Sequence, residues 1–190
     1  MDLFDLDRRA LASTGAFVSG TDAGQLGLPT PCDGWDVRAL LCHVLGNNHL
    51  YASAIAGPVD WGRRDDDRVG TDHREAYERS AAQVTAAFAA ADHGAEVAMP
   101  FGRLPVVHAV AVHFVDILTH GWDLAVATGQ DPALDADLAE AAIAVVATYP
   151  PMRGAPSGSS PRRCPWPTTR RPTSGWCRCS AAGSELGCRP

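Results

Sequence analysis

The sequence predicts an all-α chain, an up-and-down four-helix bundle with a short extended connection and an irregular C-terminal tail. Three observations predict it. Apolar residues recur at helical spacing through several long segments. The segments between them are modest in length and rich in turn formers. One stretch, "GAEVAMPFGRLPV", lacks the helical period and suits a short extended or hairpin-like link. Four or five helices joined in this way bury their apolar stripes against one another.

The elements follow in order. "LFDLDRRALASTGAFVS", residues 3–19, reads as the first helix. "GTDAGQLGLPTPCDG" reads as a loop. The second helix opens with "WDVRALLCHVLG", has Asp36 as its N-cap and ends at Gly57-Pro58. "PVDWGRRDDDRVG" is a charged loop. An alanine-rich third helix covers residues 72–92, with Tyr77, Val84 and Phe88 as its apolar stripe. The long apolar helix "VHAVAVHFVDILTHGWDLAVATG" ends at Gly129, and residues 135–148 form a last helix that Tyr149-Pro150-Pro151 stops.

Composition bounds the function. The chain has 190 residues and 46% hydrophobic content, enough for one domain with a core. No window holds eighteen consecutive apolar residues, so no membrane partner is expected. "MDLFDLDRRA" starts acidic and lacks a basic-then-apolar leader, which makes the cytoplasm the expected location. Residues 1–153 carry 10 Arg against 21 Asp and Glu. That acidic body argues against nucleic acid as a partner.

Residues 154–190 differ. They carry 6 Arg and 1 Glu, four of the six cysteines, and no apolar period. The spacing of Cys164, Cys177, Cys179 and Cys188 is a poor zinc pattern, because one intervening residue rarely suits two ligands. The bland reading is a disordered basic tail. A sharper one uses composition: lysine is absent, and asparagine and isoleucine are scarce, as in a GC-rich gene. Shifting the frame with GC-rich third positions turns residues 163–181 into approximately "VPVADDAPADEWLVPLLGR". That product is acidic, ends in an apolar helix-like run and lacks cysteine. We read the tail as a frameshift product that starts near residues 154–158, beyond a bundle domain of residues 1–153.

The chemistry concentrates in "HFVDILTHGWDLAVATG", residues 113–129, where ionisable groups interrupt an apolar run. Asp116 and His120 stand four apart and share a helix face. Together they can bind one metal ion, but two ligands are too few. His43, mid-helix in "ALLCHVLG", is the natural third, since bundle metal sites draw inward side chains from facing helices. The bland alternative is an Asp116–His120 pair without metal. His113, two turns below His120, reads as a pocket-lining or supporting group. Asp123 orients a ligand histidine or caps local backbone. Trp122 borders the pocket or is a core aromatic, the latter being preferred. Trp35 reads as a staple at the start of the second helix. Cys32 and Cys42 read as structural, and His73, His93 and His108 as surface or loop residues.

Two segments carry a resemblance: "LPTPCDGWDVRALLCHVLG" and "HFVDILTHGWDLAVATG". They resemble actinobacterial proteins related to the N-terminal domain of mycothiol-dependent maleylpyruvate isomerase, within the DinB-like metal-binding superfamily. The likeness covers about residues 5–150. It implies a bundle with a divalent metal, zinc being the expected ion. The family's histidine and its acid-x-x-x-His pair map onto His43, Asp116 and His120. The acid is Asp here, and its shorter reach leaves monodentate binding and a missing metal as alternatives. Mycothiol is the implied cosubstrate, so a small-molecule thiol and an electrophilic substrate are the expected partners, with a homodimer as one expected assembly. Maleylpyruvate isomerase carries a further C-terminal domain, which puts that particular isomerisation in doubt.

Three functions follow: a metal-dependent thiol transferase or isomerase, a non-catalytic metal- or ligand-binding bundle, and a plain bundle with paired polar groups. The tail reading has its own test. Resequencing the gene is expected to show an uncompensated insertion or deletion near codons 154–158; an intact frame contradicts it.

Overall fold

Aspartate side chains cap the first three helices. In the computed structural model, which describes residues 2–148, α1 spans Leu3–Gly20 and Asp2 accepts from the Phe4 and Asp5 amides. The helix α2 spans Val37–Ala56, and the Asp36 carboxylate accepts from Ala39 N at 2.8 Å. The third, α3, spans His73–Ala90 and is capped by Asp72. A two-stranded antiparallel hairpin follows, β1 at Glu96–Met99 and β2 at Gly102–Pro105, with Val97 opposite Leu104. Then come α4, Val106–Thr128, closed by Gly129 in the left-handed conformation, and α5, Ala136–Thr148. The helical segments, the Asp36 cap and the hairpin-like link therefore stand where the sequence places them. The stop at Tyr149-Pro150-Pro151 and the tail readings lie outside the described residues.

The arrangement corrects two expectations. The described residues form five helices, with α5 laid against α4 and α1 as an addition to the bundle. Nor is the order a simple up-and-down one. α1 packs on α4 and α3, and α2 packs on α3 and α4, so α1 and α2 stand at opposite corners. Side-chain bonds give the directions. Asp7 meets His113 and Thr14 meets Ile117, so α1 and α4 run parallel. His43 and Asn47 face Asp116 while Asn48 faces His113, so α2 and α4 run antiparallel. Tyr77 reaches Leu11 while His73 reaches Thr21, so α1 and α3 are antiparallel. The order is up-down-down-up. The parallel step from α2 to α3 is the one that must run the length of the bundle, and residues 57–72 make it, while the 16 residues between α1 and α2 and the hairpin between α3 and α4 join diagonal corners at the ends.

The core comes from the predicted faces. Leu40, Leu41 and Leu45 of α2 pack with Phe114 and Ile117 of α4, and the α3 stripe of Tyr77, Val84 and Phe88 is buried. α4 is long and apolar enough, by composition, to cross a membrane, yet most of that window is buried in the bundle, as in a core helix. Gly121 lets α4 approach α1: a Cβ there would stand 2.3 Å from Thr14 Oγ1 and 3.3 Å from Thr14 Cα.

One polar chain crosses this core and takes a residue from each of the four bundle helices. Ser80 Oγ donates to Tyr77 O at 2.9 Å, so it must accept from Asn48 Nδ2 at 3.0 Å. Asn48 Oδ1 then accepts from His113 Nε2 at 3.0 Å. His113 Nδ1 faces Asp7 Oδ1 at 2.6 Å, so a proton lies between them. The rings of Tyr51 and Phe88 pack on the imidazole, which has no solvent exposure. His113 is thus a bundle-joining residue and not a pocket group. Because α4 is antiparallel to α2, moving from His120 back to His113 moves the contact along α2 from His43 to Asn48.

Breaking a buried, hydrogen-bonded pair leaves its partner uncompensated and costs about 3–5 kcal/mol. His113→Leu is expected to lose a stability of that order in urea unfolding. A loss under about 1 kcal/mol contradicts the network's role.

Candidate metal centre

His43 sits near the middle of α2, where the helix is apolar on nearly every side and only a partnered imidazole is tolerated. It faces Asp116 and His120, which lie one turn apart on α4. Asp116 Oδ1 stands 3.6 Å from His43 Nε2 and 3.5 Å from His120 Nε2. These contacts are too long for good hydrogen bonds. They match the edge of a tetrahedron around an ion with bonds of about 2.1 Å, which is about 3.4 Å. One ligand atom from each of the three residues lies within 4.8 Å of the others.

Each group is also held from behind. His43 Nδ1 meets Asp65 Oδ1 at 3.2 Å, and His120 Nδ1 meets Asp123 Oδ2 at 3.0 Å. A carboxylate that accepts from Nδ1–H leaves the Nε2 lone pair facing the site, the tautomer that a metal needs. Asn47, one turn beyond His43, donates from Nδ2 to Asp116 Oδ2 at 2.7 Å and stands 3.1 Å from His43 Nε2. Gly46 allows the Asp65 contact, since a Cβ there would lie 1.6 Å from the Arg64 carbonyl. The loop after α2 can therefore press against the helix.

The segment before α2 makes one wall. Thr30 N and Oγ1 both bond Trp35 O, and Val37 N bonds Leu28 O, which folds the segment over the helix start. Trp35 lies against the rings of His43 and His120 at centroid distances of 4.9 and 6.0 Å. Cys32 Sγ donates to Asp123 Oδ2 at 3.3 Å. Asp116 keeps 27% of its side chain exposed and His120 15%, so solvent reaches the set.

Electrostatics follow from this packing. Burial pushes Asp116 up, but the neighbouring His120 and His43 imidazoles hold it well below the usual carboxylate range. Burial opposes charge on His43, yet Asp116 and Asp65 raise it above the ordinary histidine value. The His43 hydrogen bond lowers Asp65. Burial and then the Asp123 hydrogen bond push Cys32 up to about 11.

The structure thus brings His43, Asp116 and His120 together and sets Asp123 behind His120. It corrects Trp122: two residues past His120 is about 200° around the helix, and the side chain is 40% exposed, neither core nor pocket. His73 is buried and bonds Thr21 O, not a surface residue. Trp35 is a wall of the site as well as a staple. Cys42 points to Asp67, away from the set. Asn47 and Asp65 were missed. Asn47 had a signal, its i+4 spacing from His43; Asp65 stood undistinguished among "RRDDDR". A second set among the described residues, Cys32, His120 and Asp123, shares His120. Its atoms already hydrogen-bond one another, which makes it the weaker candidate.

The family profile described as the mycothiol maleylpyruvate isomerase N-terminal domain matches residues 8–125, more than half of the chain. The chain belongs to that family. An uncharacterized protein of Mycobacterium tuberculosis, found in two strains, is 36% identical over 140 residues, or 73% of this chain and 74% of the relative. Among solved structures, the mycothiol-dependent maleylpyruvate isomerase superposes with a TM-score of 0.64 at 19% identity, covering 77% of this chain and 68% of that one. A single-substitution mutant of that enzyme gives 0.63 at 18%. At such identity the likeness shows the fold, an all-α DinB-like fold with a short β-hairpin. His43, Asp116 and His120 all lie within the family match.

A thiol raised to about 11 is protonated at pH 7.5, with a thiolate fraction of roughly one in a few thousand. Cys32 in metal-free protein is therefore expected to react slowly with iodoacetamide at pH 7.5 and faster as pH approaches 11, as followed by peptide mass spectrometry. Rapid modification at pH 7.5 contradicts the burial and the Asp123 bond.

Proposed function

We propose that this chain binds one divalent metal ion, zinc being the expected one, through His43, Asp116 and His120, and uses it to act with a small-molecule thiol on small electrophiles. The observation that carries the reading is the three-atom set: two imidazole nitrogens and one carboxylate oxygen at metal-ligand separations, each backed by its own hydrogen bond. Three protein ligands leave an open position, the mark of a catalytic ion as opposed to a structural one. A divalent ion there would lower the pKa of a bound thiol or water. Asp65 and Asp123 would hold the imidazoles in their ligating tautomer, and Trp35 and Cys32 would border the approach. Family membership supports mycothiol as the thiol, and transfer or thiol-assisted isomerisation as the reaction class. We also place the protein in the cytoplasm.

A second reading, a non-catalytic metal- or ligand-binding bundle, is favoured by one fact. The superposition covers 68% of the maleylpyruvate isomerase chain, so a third of that enzyme has no counterpart in the match. A conjugation assay separates the two. With mycothiol and a fluorogenic electrophile, thiol consumption is expected to fall to the uncatalysed rate on chelation and to return with zinc, while His120→Ala stays at the uncatalysed rate. Equal rates with and without chelator favour the binder.

A further inference from the structure

Asp116 presents its two oxygens to different neighbours. Oδ1 points between His43 Nε2 and His120 Nε2, while Oδ2 accepts the 2.7 Å bond from Asn47. Asn47 is 5% exposed, and its amide nitrogen also stands 3.1 Å from His43 Nε2. An amide nitrogen has two N–H groups. Both are directed at members of the ligand set, one at Asp116 and one at His43.

We infer that Asn47 is a positioning residue that restricts Asp116 to one-oxygen ligation and keeps the His43 lone pair aimed into the site before an ion arrives. The inference rests on the metal-binding reading above. When an ion takes the His43 Nε2 lone pair, the Nδ2–Nε2 hydrogen bond is released. The bond to Asp116 Oδ2 stays, because Oδ1 is the oxygen that meets both histidines. One coordination position that a two-oxygen carboxylate would fill is thereby left to an outside ligand. The i+4 spacing from His43 supplies the reach: the same α2 face carries the ligand and the residue that orders the opposing ligand. A serine or alanine at position 47 cannot bridge to Oδ2, whereas an aspartate would set two carboxylates against each other.

The test uses the full chain. Metal-free wild type, Asn47→Ala and Asn47→Ser are titrated with zinc against a chromophoric chelator, then with cobalt(II) as a coordination probe. Wild type is expected to bind one ion and give an intense four-coordinate cobalt spectrum. Both variants are expected to bind one ion about 10–100-fold more weakly, the usual effect of removing a group that supports a metal ligand. Their cobalt bands are expected to weaken as the second carboxylate oxygen joins. A purely structural role would leave the spectrum unmoved. Wild-type affinity together with an unchanged cobalt spectrum in the variants overturns the inference. A wild type that takes up no ion overturns the metal-binding reading itself. Should the variants not fold, the wild-type Asn47 side-chain amide gives a second measurement: zinc is expected to shift one of its two N–H resonances, and no shift overturns the inference.

Discussion

The register between α2 and α4 is the constraint on which the rest depends. Two adjacent asparagines of α2 set it. Asn47 bonds Asp116 and Asn48 bonds His113, three residues apart on the antiparallel α4. Successive helix residues point about 100° apart, so one asparagine serves the site and the other the core. A slip of α4 by one turn would break both bonds at once and leave buried amides, an imidazole and a carboxylate unsatisfied. Apolar packing alone tolerates several registers. Fully satisfied buried polar groups add a geometric requirement that apolar contacts lack.

That register also explains why the site is prepared and not merely polar. Asp65, Asp116 and Asp123 surround two imidazoles, with Arg64 Nε 3.3 Å from Asp65. Three carboxylates beside two neutral imidazoles make a negative centre. A proton on His43, favoured by Asp116 and Asp65, relieves part of it, and a divalent cation relieves more. On the proposed reading, proton and metal would compete for one set of lone pairs. The outward bonds to Asp65, Asp123 and Asn47 need not break in either state, so little rearrangement would separate the two.

Much of this was legible in the sequence, for physical reasons. Helix limits follow from local chemistry: Asp36 before "VRALL", Gly129 after "LAVAT", and apolar spacing between. The Asp116–His120 pair is readable because i and i+4 share a face wherever the helix lies. His43 stood out as a candidate third ligand because it lies mid-helix among apolar residues, and the resemblance supported that choice. The up-down-down-up order was not readable, since modest loops suggested adjacent neighbours, whereas residues 57–72 run between parallel helices and the hairpin and the α1–α2 segment join diagonal corners. His113 had the polarity of a site residue, but its partners Asp7 and Asn48 come from two other helices. Trp122 was misplaced because an aromatic in an apolar run reads as core, while its azimuth sends it outward.

We propose that His43, Asp116 and His120 converge on one ion. Anomalous scattering at the zinc edge, from crystals of the zinc-loaded full chain, tests it most directly. One strong peak is expected among His43 Nε2, Asp116 Oδ1 and His120 Nε2. A peak among Cys32, His120 and Asp123 instead, or no peak at saturating zinc, would contradict it.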